Sequence, residues 1–461
     1  MPDDLPPDVR SRPPAERSRE LAARLRRVES PNVTLLTEDF PAFWEEARGS
    51  NVWDADGNRY VDLTAGFAVA SAGHAHPRVR DALRDQAGRL VHGMGDVHPP
   101  ARKVELLERL ADLSPFPEPR TILGVTGSDA VEAALKTAAL HTGRPGAVAF
   151  TGGYHGLSYG ALSLTDRAHF RGPFEAQLNP HVARAGFPHP YRPPSRAGFP
   201  GPGAPADEIG RAALAEVRRL LEGERGDGIG AVVVEPVQGR GGEVVPPAGF
   251  LRGLASLCRS HGALLVLDEV YTGFGRTGRR FACEAEGVVP DLLCVGKGMS
   301  GGMPISACLG SREVMEAWPP SRGEAIHTTT FLGHPLSCAA ALAALEVLEE
   351  EGLASRATRL GRRWREALEG LRDRHPSVGD VRGRGLMVGI DLVRERESRE
   401  PAGGLAGEVI VEALRRGWIL LAGGAAGNVL SLSPPLTISR ELLEDSVGML
   451  DRVLGEVGGP V

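Results

Sequence analysis

The stretch ALLVLDEVYTGFGRTGRRFACEAEGVVPDLLCVGKGMS, residues 263–300, decides the fold class. It opens with an apolar run that ends at Asp268 and carries a second run, LLCVG at 292–296, that stops at Lys297. Runs this short and this uniformly apolar suit strands buried on both faces, which implies a mostly parallel sheet covered by helices. Working outward, similar runs stand at 121–125 (TILGV), 147–150 (AVAF), 231–235 (AVVVE) and 305–310 (ISACLG), with helical apolar spacing between them. The alternation predicts an α/β domain whose helices are crossovers.

On the N-terminal side, VWDADGNRYVDL at 52–63 reads as a hairpin around Asp56-Gly57, where the turn requires positive φ. Helical spacing follows in Val79 to Leu90 and Val104 to Leu113. Residues 186–206 are too rich in Pro and Gly for regular structure and are expected to form a long surface loop. After His334 the pattern changes to long helices, Leu336 to Glu350 and Leu360 to Leu371, then short strands and a last helix from Glu441 to Leu454. This predicts a smaller α+β domain. The expected division is a mobile Pro- and charge-rich tail at 1–30, a segment at 31–85 contributing to the small domain, a large domain at 86–330 and the C-terminal small domain at 331–461.

Of 461 residues, 42% are hydrophobic and 24% charged, enough to bury a large core. The net charge of −6 gives no electrostatic reason to expect a nucleic acid or an anionic membrane. The nearest approach to a spanning helix, Trp418 to Leu436, is interrupted by glycines, Asn428 and Pro434-Pro435. Cys258, Cys283, Cys294, Cys308 and Cys338 are odd in number and show no CxxC pair, which fits a reducing cytoplasm.

Three features carry chemistry. Gly127-Ser128 follows a strand and opens an Ala-rich helix, so free N–H groups and the helix dipole converge where a phosphate can sit, although Ser is also an ordinary N-cap. Asp268 places a carboxylate at the C-terminal edge of the sheet, either as a local cap or as a fixed anion facing a ligand cation. Lys297 lies between two glycines after a hydrophobic strand, where desolvation lowers an amine pKa and makes it nucleophilic. Competing motifs are weaker. Gly156-Leu-Ser158-Tyr-Gly160 has the spelling of a serine-hydrolase elbow but lacks the tight strand-to-helix turn, Gly226-x-Gly228-x-x-Ala231 precedes a strand instead of following one, and His74-x-His76 lacks a third ligand.

An anion-binding helix start, an aromatic, a buried Asp and a Lys, in that order, are the parts that hold pyridoxal phosphate. The segments TGSDAVEAALKTA, GGYHG, VVVEPVQGRGG, LVLDEVYTGFGRTG, CVGKGMSGGMPISA and HTTTFLGHPL resemble the class III (subgroup II, ω-type) pyridoxal-phosphate aminotransferases, from about Val52 to the C-terminus. The resemblance implies fold type I: a large domain with a mostly parallel sheet plus a smaller α+β domain. It implies that Lys297 forms an aldimine with the cofactor and shuttles the substrate proton, that Asp268 pairs with the pyridine nitrogen, and that Tyr154 and Val270 cover the two ring faces. By the same similarity Gln238 bonds the phenolic oxygen, Gly127 and Ser128 bind the phosphate, and Thr330 reaches the phosphate of a neighbouring subunit, so a homodimer with shared sites is expected. Glu235 and Glu269 match family positions that read as structural.

Two departures bear on substrate. The Arg that family members usually carry before the PPL segment is Ser431, and the frequent gate Glu of QGExG is Arg240. The carboxylate site is therefore expected to move to Arg240, which is free to grip an acid bidentately. Phe67 matches a pocket-wall position and suggests an apolar pocket. The leading expectation is ping-pong transfer of an amino group from a primary amine or ω-amino acid to a 2-oxo acid. The alternatives are a racemase, epimerase, decarboxylating transaminase or phospho-lyase on the same residues, a serine hydrolase using Ser158, and a binding protein that keeps the fold without turnover.

Overall fold

A computed structural model of the chain describes residues 4–458. Its strands are, in chain order, β1 (Trp44–Arg48), β2 (Asn51–Asp54), β3 (Arg59–Asp62), β4 (Arg120–Gly124), β5 (Gly146–Phe150), β6 (Val182–Ala185), β7 (Ile229–Val234), β8 (Leu264–Asp268), β9 (Leu292–Val295), β10 (Ser306–Gly310), β11 (Val378–Arg384), β12 (Met387–Leu392), β13 (Trp418–Ile419), β14 (Leu421–Gly423) and β15 (Val429–Leu432). A seven-stranded sheet runs β4-β10-β9-β8-β7-β5-β6. All pairings from β6 through β9 are parallel, and β10 alone is reversed, antiparallel to both β9 and β4.

The cause of the apolar runs is visible in the packing. Val232, Val234, Leu265 and Leu267 face helices Ala206–Glu222 and Phe250–His261 on one side, while Ala231, Val233, Leu264 and Val266 face helix Gly127–Thr142 on the other. Alternate residues thus enter two different cores, so neither face tolerates a polar side chain. Each fully buried Val or Leu contributes roughly 2 kcal/mol relative to exposure. Strand β6, VARA, escapes sequence detection because it is short, partly exposed and lies at the sheet edge.

A second sheet, β11-β12-β15-β14, is antiparallel and packs with helices Leu353–Glu369 and Arg440–Val457 around Trp364, Ile390, Leu430 and Leu450. The helix placed at Leu360 by periodicity begins earlier, at Leu353, because its first turn after the left-handed Gly352 is too polar to show the period. A third sheet, β1-β2-β3-β13, pairs the N-terminal hairpin with Trp418–Ile419 in parallel register. Segment 186–206 has no regular structure up to the first residue of helix Ala206–Glu222, and Arg192 ties it to Asp391 of β12 at 2.7 and 2.8 Å.

The head of the chain departs from the free tail that its composition predicts. Asp4 accepts from the Ser439 and Ser50 N–H groups at 2.7 and 3.1 Å, and Asp8 and Arg59 exchange two backbone bonds of 2.9 Å. Residues Glu16–Val28 form a helix whose Arg17 and Ser18 N–H groups donate to Asp56 at 2.7 and 3.0 Å. Polar caps onto the hairpin, invisible to an apolar count, hold this segment in place.

Candidate active site

The C-terminal edges of β5, β8 and β9 open toward the start of helix Gly127–Thr142, and a cleft of about 470 Å³ lies there. Asp268 ends β8 with its side chain almost wholly buried. One carboxylate oxygen accepts from the Val270 N–H at 3.1 Å and the other lies 2.8 Å from Nδ1 of His155. Burial opposes a charge on His155, but the hydrogen bond and charge of Asp268 outweigh it and hold the imidazole pKa above the usual 6.5.

Lys297 follows β9 with φ of +42°, a left-handed conformation uncommon for a side chain with a Cβ and frequent where function fixes the backbone. Gly298 permits the close approach, since a Cβ there would fall 2.7 Å from Oγ of Ser71. The Lys297 amine stands 4.0 Å from the centroid of the Tyr271 ring. Burial draws its pKa from 10.5 down to about 8, against the opposing charges of Asp268 and Glu235. An appreciable fraction is a free amine near neutrality.

The helix start is shaped by glycines. A Cβ on Gly127 would sit 2.8 Å from Cγ1 of Val270, and one on Gly156 would sit 2.0 Å from Oγ of Ser128. Thr126 caps the helix in a reciprocal box with Asp129, leaving the Gly127 and Ser128 backbone at the cleft. This donor set suits a phosphate-sized anion. Tyr154 enters from the loop after β5, its N–H donating to Glu235 at 3.0 Å and its ring meeting Phe170 edge-on at 5.6 Å. The Arg240 guanidinium lies 5.7 Å from both ring centroids. Glu235 also accepts from Gly239 N–H at 3.1 Å, and burial raises its pKa to about 7.

Of the residues singled out by sequence, Phe67, Gly127, Ser128, Tyr154, Arg240, Asp268, Val270, Lys297 and Ser431 line this one cleft. Phe67 is 53% exposed, a wall residue and not part of the core. Ser431, on β15, donates its hydroxyl to the buried Glu243. Gln238 lies just behind the lining, its side-chain N–H donating to the Thr151 carbonyl at 2.8 Å. Thr330 is exposed and outside the cleft of its own chain. Glu269 has a scaffolding position, accepting from Thr272, Ala282 and Cys283 at 2.8, 2.6 and 2.9 Å.

His155, Phe170, Tyr271 and Glu243 escaped the sequence reading as site residues. His155 and Tyr271 lie inside the motifs GGYHG and LVLDEVYTGFGRTG and Glu243 directly follows VVVEPVQGRGG, so their positions are readable, whereas Phe170 reaches the region only through tertiary packing. Ser158 has no elbow geometry: its exposed hydroxyl donates to Glu132 at 2.7 Å. His74 and His76 part company, the first bound to Asp62 at 2.8 Å and the second 3.4 Å from Glu351. A larger groove of about 740 Å³, between Phe274 and Arg359, has no lysine in its lining.

A partly deprotonated amine, a buried carboxylate and an anion cradle in one cleft can bind an aldehyde-bearing ring with a phosphate arm and move protons beside it. Comparison with known proteins agrees. The chain is 38% identical to a 4-aminobutyrate aminotransferase of Mycobacterium leprae over 96% of its own length and 97% of the relative's. It is 35% identical to a leucine/methionine racemase of Thermococcus litoralis, covering 96% of each. Among solved structures, an amine transaminase from an uncultivated Pseudomonas species in its PLP-bound form superposes with a TM-score of 0.82 at 31% identity, covering 93% of this chain and 97% of that one. The profile of the class-III aminotransferases matches residues 36–454, and the chain belongs to that family.

Proposed function

We propose that this protein transfers an amino group from a primary amine or ω-amino acid to a 2-oxo acid, working as a homodimer with shared sites. Pyridoxal phosphate is its cofactor, and the residues present fit it: an anion cradle edged by glycines, a buried carboxylate and a lysine with a lowered pKa share one cleft. That convergence is the observation that carries the reading. When bound, the cofactor accepts the electrons released as a bond at the substrate carbon breaks.

The chain's own groups do the rest. The Gly127 and Ser128 N–H groups would hold the phosphate, Tyr154 and Val270 would confine the ring, and Gln238 would bond its phenolic oxygen. Asp268, fixed by His155 and the Val270 N–H, is the anion available to keep a proton on the ring nitrogen. Lys297 Nζ, its pKa lowered by burial, is the base placed to take the proton from the nitrogen-bearing carbon of the substrate, and it would deliver that proton to the cofactor's side of the nitrogen, since returning it to the same carbon would transfer nothing. Arg240, exposed and without an acidic partner among the described residues, takes the carboxylate of the 2-oxo acid.

The dimer reading rests on an apolar surface. Leu90, Val91, Met94, Val97 and Phe331 are all exposed, and the 94–97 turn packs on the 330–332 segment, since a Cβ on Gly95 would strike the Leu332 carbonyl. Thr330 stands on that surface, in keeping with a contribution to a neighbouring site. No helix among the described residues is long and apolar enough to cross a membrane, and five buried thiols without disulfides favour the cytoplasm.

A stoichiometric half-reaction separates this reading from a racemase on the same residues. Holoenzyme mixed with an amine donor alone should release one carbonyl product per site and then stop until a 2-oxo acid is added. Inversion or elimination that proceeds without acceptor and without that stoichiometric product would refute it.

A further inference from the structure

The turn at 239–243 sends two opposite charges to different places. The Gly242 and Glu243 N–H groups both donate to the Gly239 carbonyl, at 2.8 and 3.1 Å, and Arg240 leaves this turn toward the Tyr154 and Phe170 rings. Glu243 turns inward at φ of +51° and is fully buried. One of its carboxylate oxygens accepts from the hydroxyl of Ser431, which lines the cleft. The other has no hydrogen-bond partner.

Two glycines clear the space around this carboxylate. A Cβ on Gly423, itself in the cleft wall, would come 3.6 Å from the unpartnered oxygen, and one on Gly389 would come 3.1 Å from it. The nearest cation, Arg382, is spent elsewhere: it donates to the Gly242 carbonyl at 2.7 Å and to Asp380 and Asp391 at 2.9 and 3.1 Å. A buried acid without a fixed counter-ion favours a cation delivered from outside. When Glu243 is ionised the Ser431 hydroxyl donates to it, leaving lone pairs toward the cleft that accept from a donor and disfavour a carboxylate. Tyr271, which lines the same cleft, lies between: the Lys297 amine stands 4.0 Å from its ring centroid, and its hydroxyl bonds Ser433, two positions after Ser431, at 2.9 Å.

We infer that Ser431, with Glu243 behind it, recognises the distal ammonium of an unbranched α,ω-diamine, making diamines a donor class of this cleft. The inference rests on the aminotransferase reading. Transfer then converts the diamine and a 2-oxo acid into an ω-amino aldehyde and an amino acid. The amino nitrogen and two electrons leave the diamine carbon for the keto carbon, so no further oxidant enters. Burial raises the Glu243 pKa to about 8, and an arriving ammonium favours its ionised form.

The test compares a five-carbon α,ω-diamine with n-pentylamine and with the ω-amino acid of equal chain length, on wild-type holoenzyme and on Glu243→Gln. The diamine should exceed pentylamine in kcat/KM by about tenfold, the worth of one hydrogen bond to a charged group. Glu243→Gln should erase this advantage, bringing the diamine-to-pentylamine ratio of kcat/KM to about one. Calorimetry on borohydride-inactivated holoenzyme, which cannot turn over, should show the same loss in diamine affinity. If Glu243→Gln does not fold, Ser431→Ala carries the comparison and should collapse the same ratio. A diamine-to-monoamine ratio unaltered by the substitution, or a preference for the ω-amino acid over the diamine, overturns the inference while transfer itself continues. No transfer from any of the three donors overturns the aminotransferase reading as well.

Discussion

Replacing Asp268 by Asn removes one charge at nearly constant volume and leaves an oxygen for the Val270 N–H, so the strand end should keep its shape. The carboxylate lies 2.8 Å from His155, where the Coulomb energy of a full ion pair is about 6 kcal/mol at an effective dielectric of 20. Loss of one preorganised electrostatic group of this kind typically costs about a hundredfold to a thousandfold in kcat, or roughly 3–4 kcal/mol. The expected result is a fall of that size in single-turnover transfer by holoenzyme. A second readout follows the imidazole. In the wild type the folded His155 pKa lies above 6.5, so its contribution to stability is complete below the unfolded value and is lost as pH rises through the folded one. With Asn at 268 the two principal raising influences vanish, burial dominates, and the pKa should drop below 6.5. NMR titration of isotope-labelled imidazoles in the apoenzyme, with His155 assigned through His155→Gln, measures this. A variant within about tenfold of wild-type kcat, or an imidazole still protonating above 6.5, would refute the assignment of Asp268.

In apoenzyme the rate of Lys297 modification by an amine-directed reagent should rise with pH through a midpoint near 8, not 10.5, and Asp268→Asn should move that midpoint lower because Asp268 is the largest influence raising it. Arg240→Ala should raise the KM of the 2-oxo acid by about tenfold to a hundredfold, as loss of a charge-assisted bond predicts, with the KM of an apolar monoamine unchanged in steady-state assays. Ser158→Ala should leave amine transfer within about twofold of wild type, since it removes only a surface bond to Glu132; a larger loss would revive a role for that hydroxyl. Met94→Glu, which sets a charge in the exposed apolar surface, should shift sedimentation from dimer to monomer and weaken cofactor retention on gel filtration.

Much of this was legible because the sheet imposes a strict condition on its strands. A strand such as β8, buried on both faces between two helical layers, has no polar position until it ends, so the first polar residue, Asp268, marks both the strand terminus and the cleft. Lys297 after β9 is marked the same way, whereas Gly127, which follows the partly exposed edge strand β4, is marked only as the opening of an Ala-rich helix. The periodicity of residues 353–359 was too faint to read because only Leu353 and Ala357 there are buried, and that of 182–185 because the strand lies at a sheet edge. The order of the head segment was hidden because Asp4, Asp8 and Asp56 impose it through hydrogen bonds between residues far apart in sequence. The contact made by Glu243 was hidden for a related reason: nothing in QGRGGEVV says that its carboxylate meets Ser431, 188 positions later.

The pairing of β3 with β13 has a temporal consequence. Val61 and Trp418 are register partners, so the third sheet joins a segment to one synthesised long after it. All seven strands of the cofactor-side sheet lie between residues 120 and 310 and are available long before Trp418 leaves the ribosome. During elongation the hairpin of β2 and β3 therefore waits with an open edge, a surface on which nascent chains can associate wrongly. Loss of residues 412–461 would strand that edge permanently, because β13 itself lies among them.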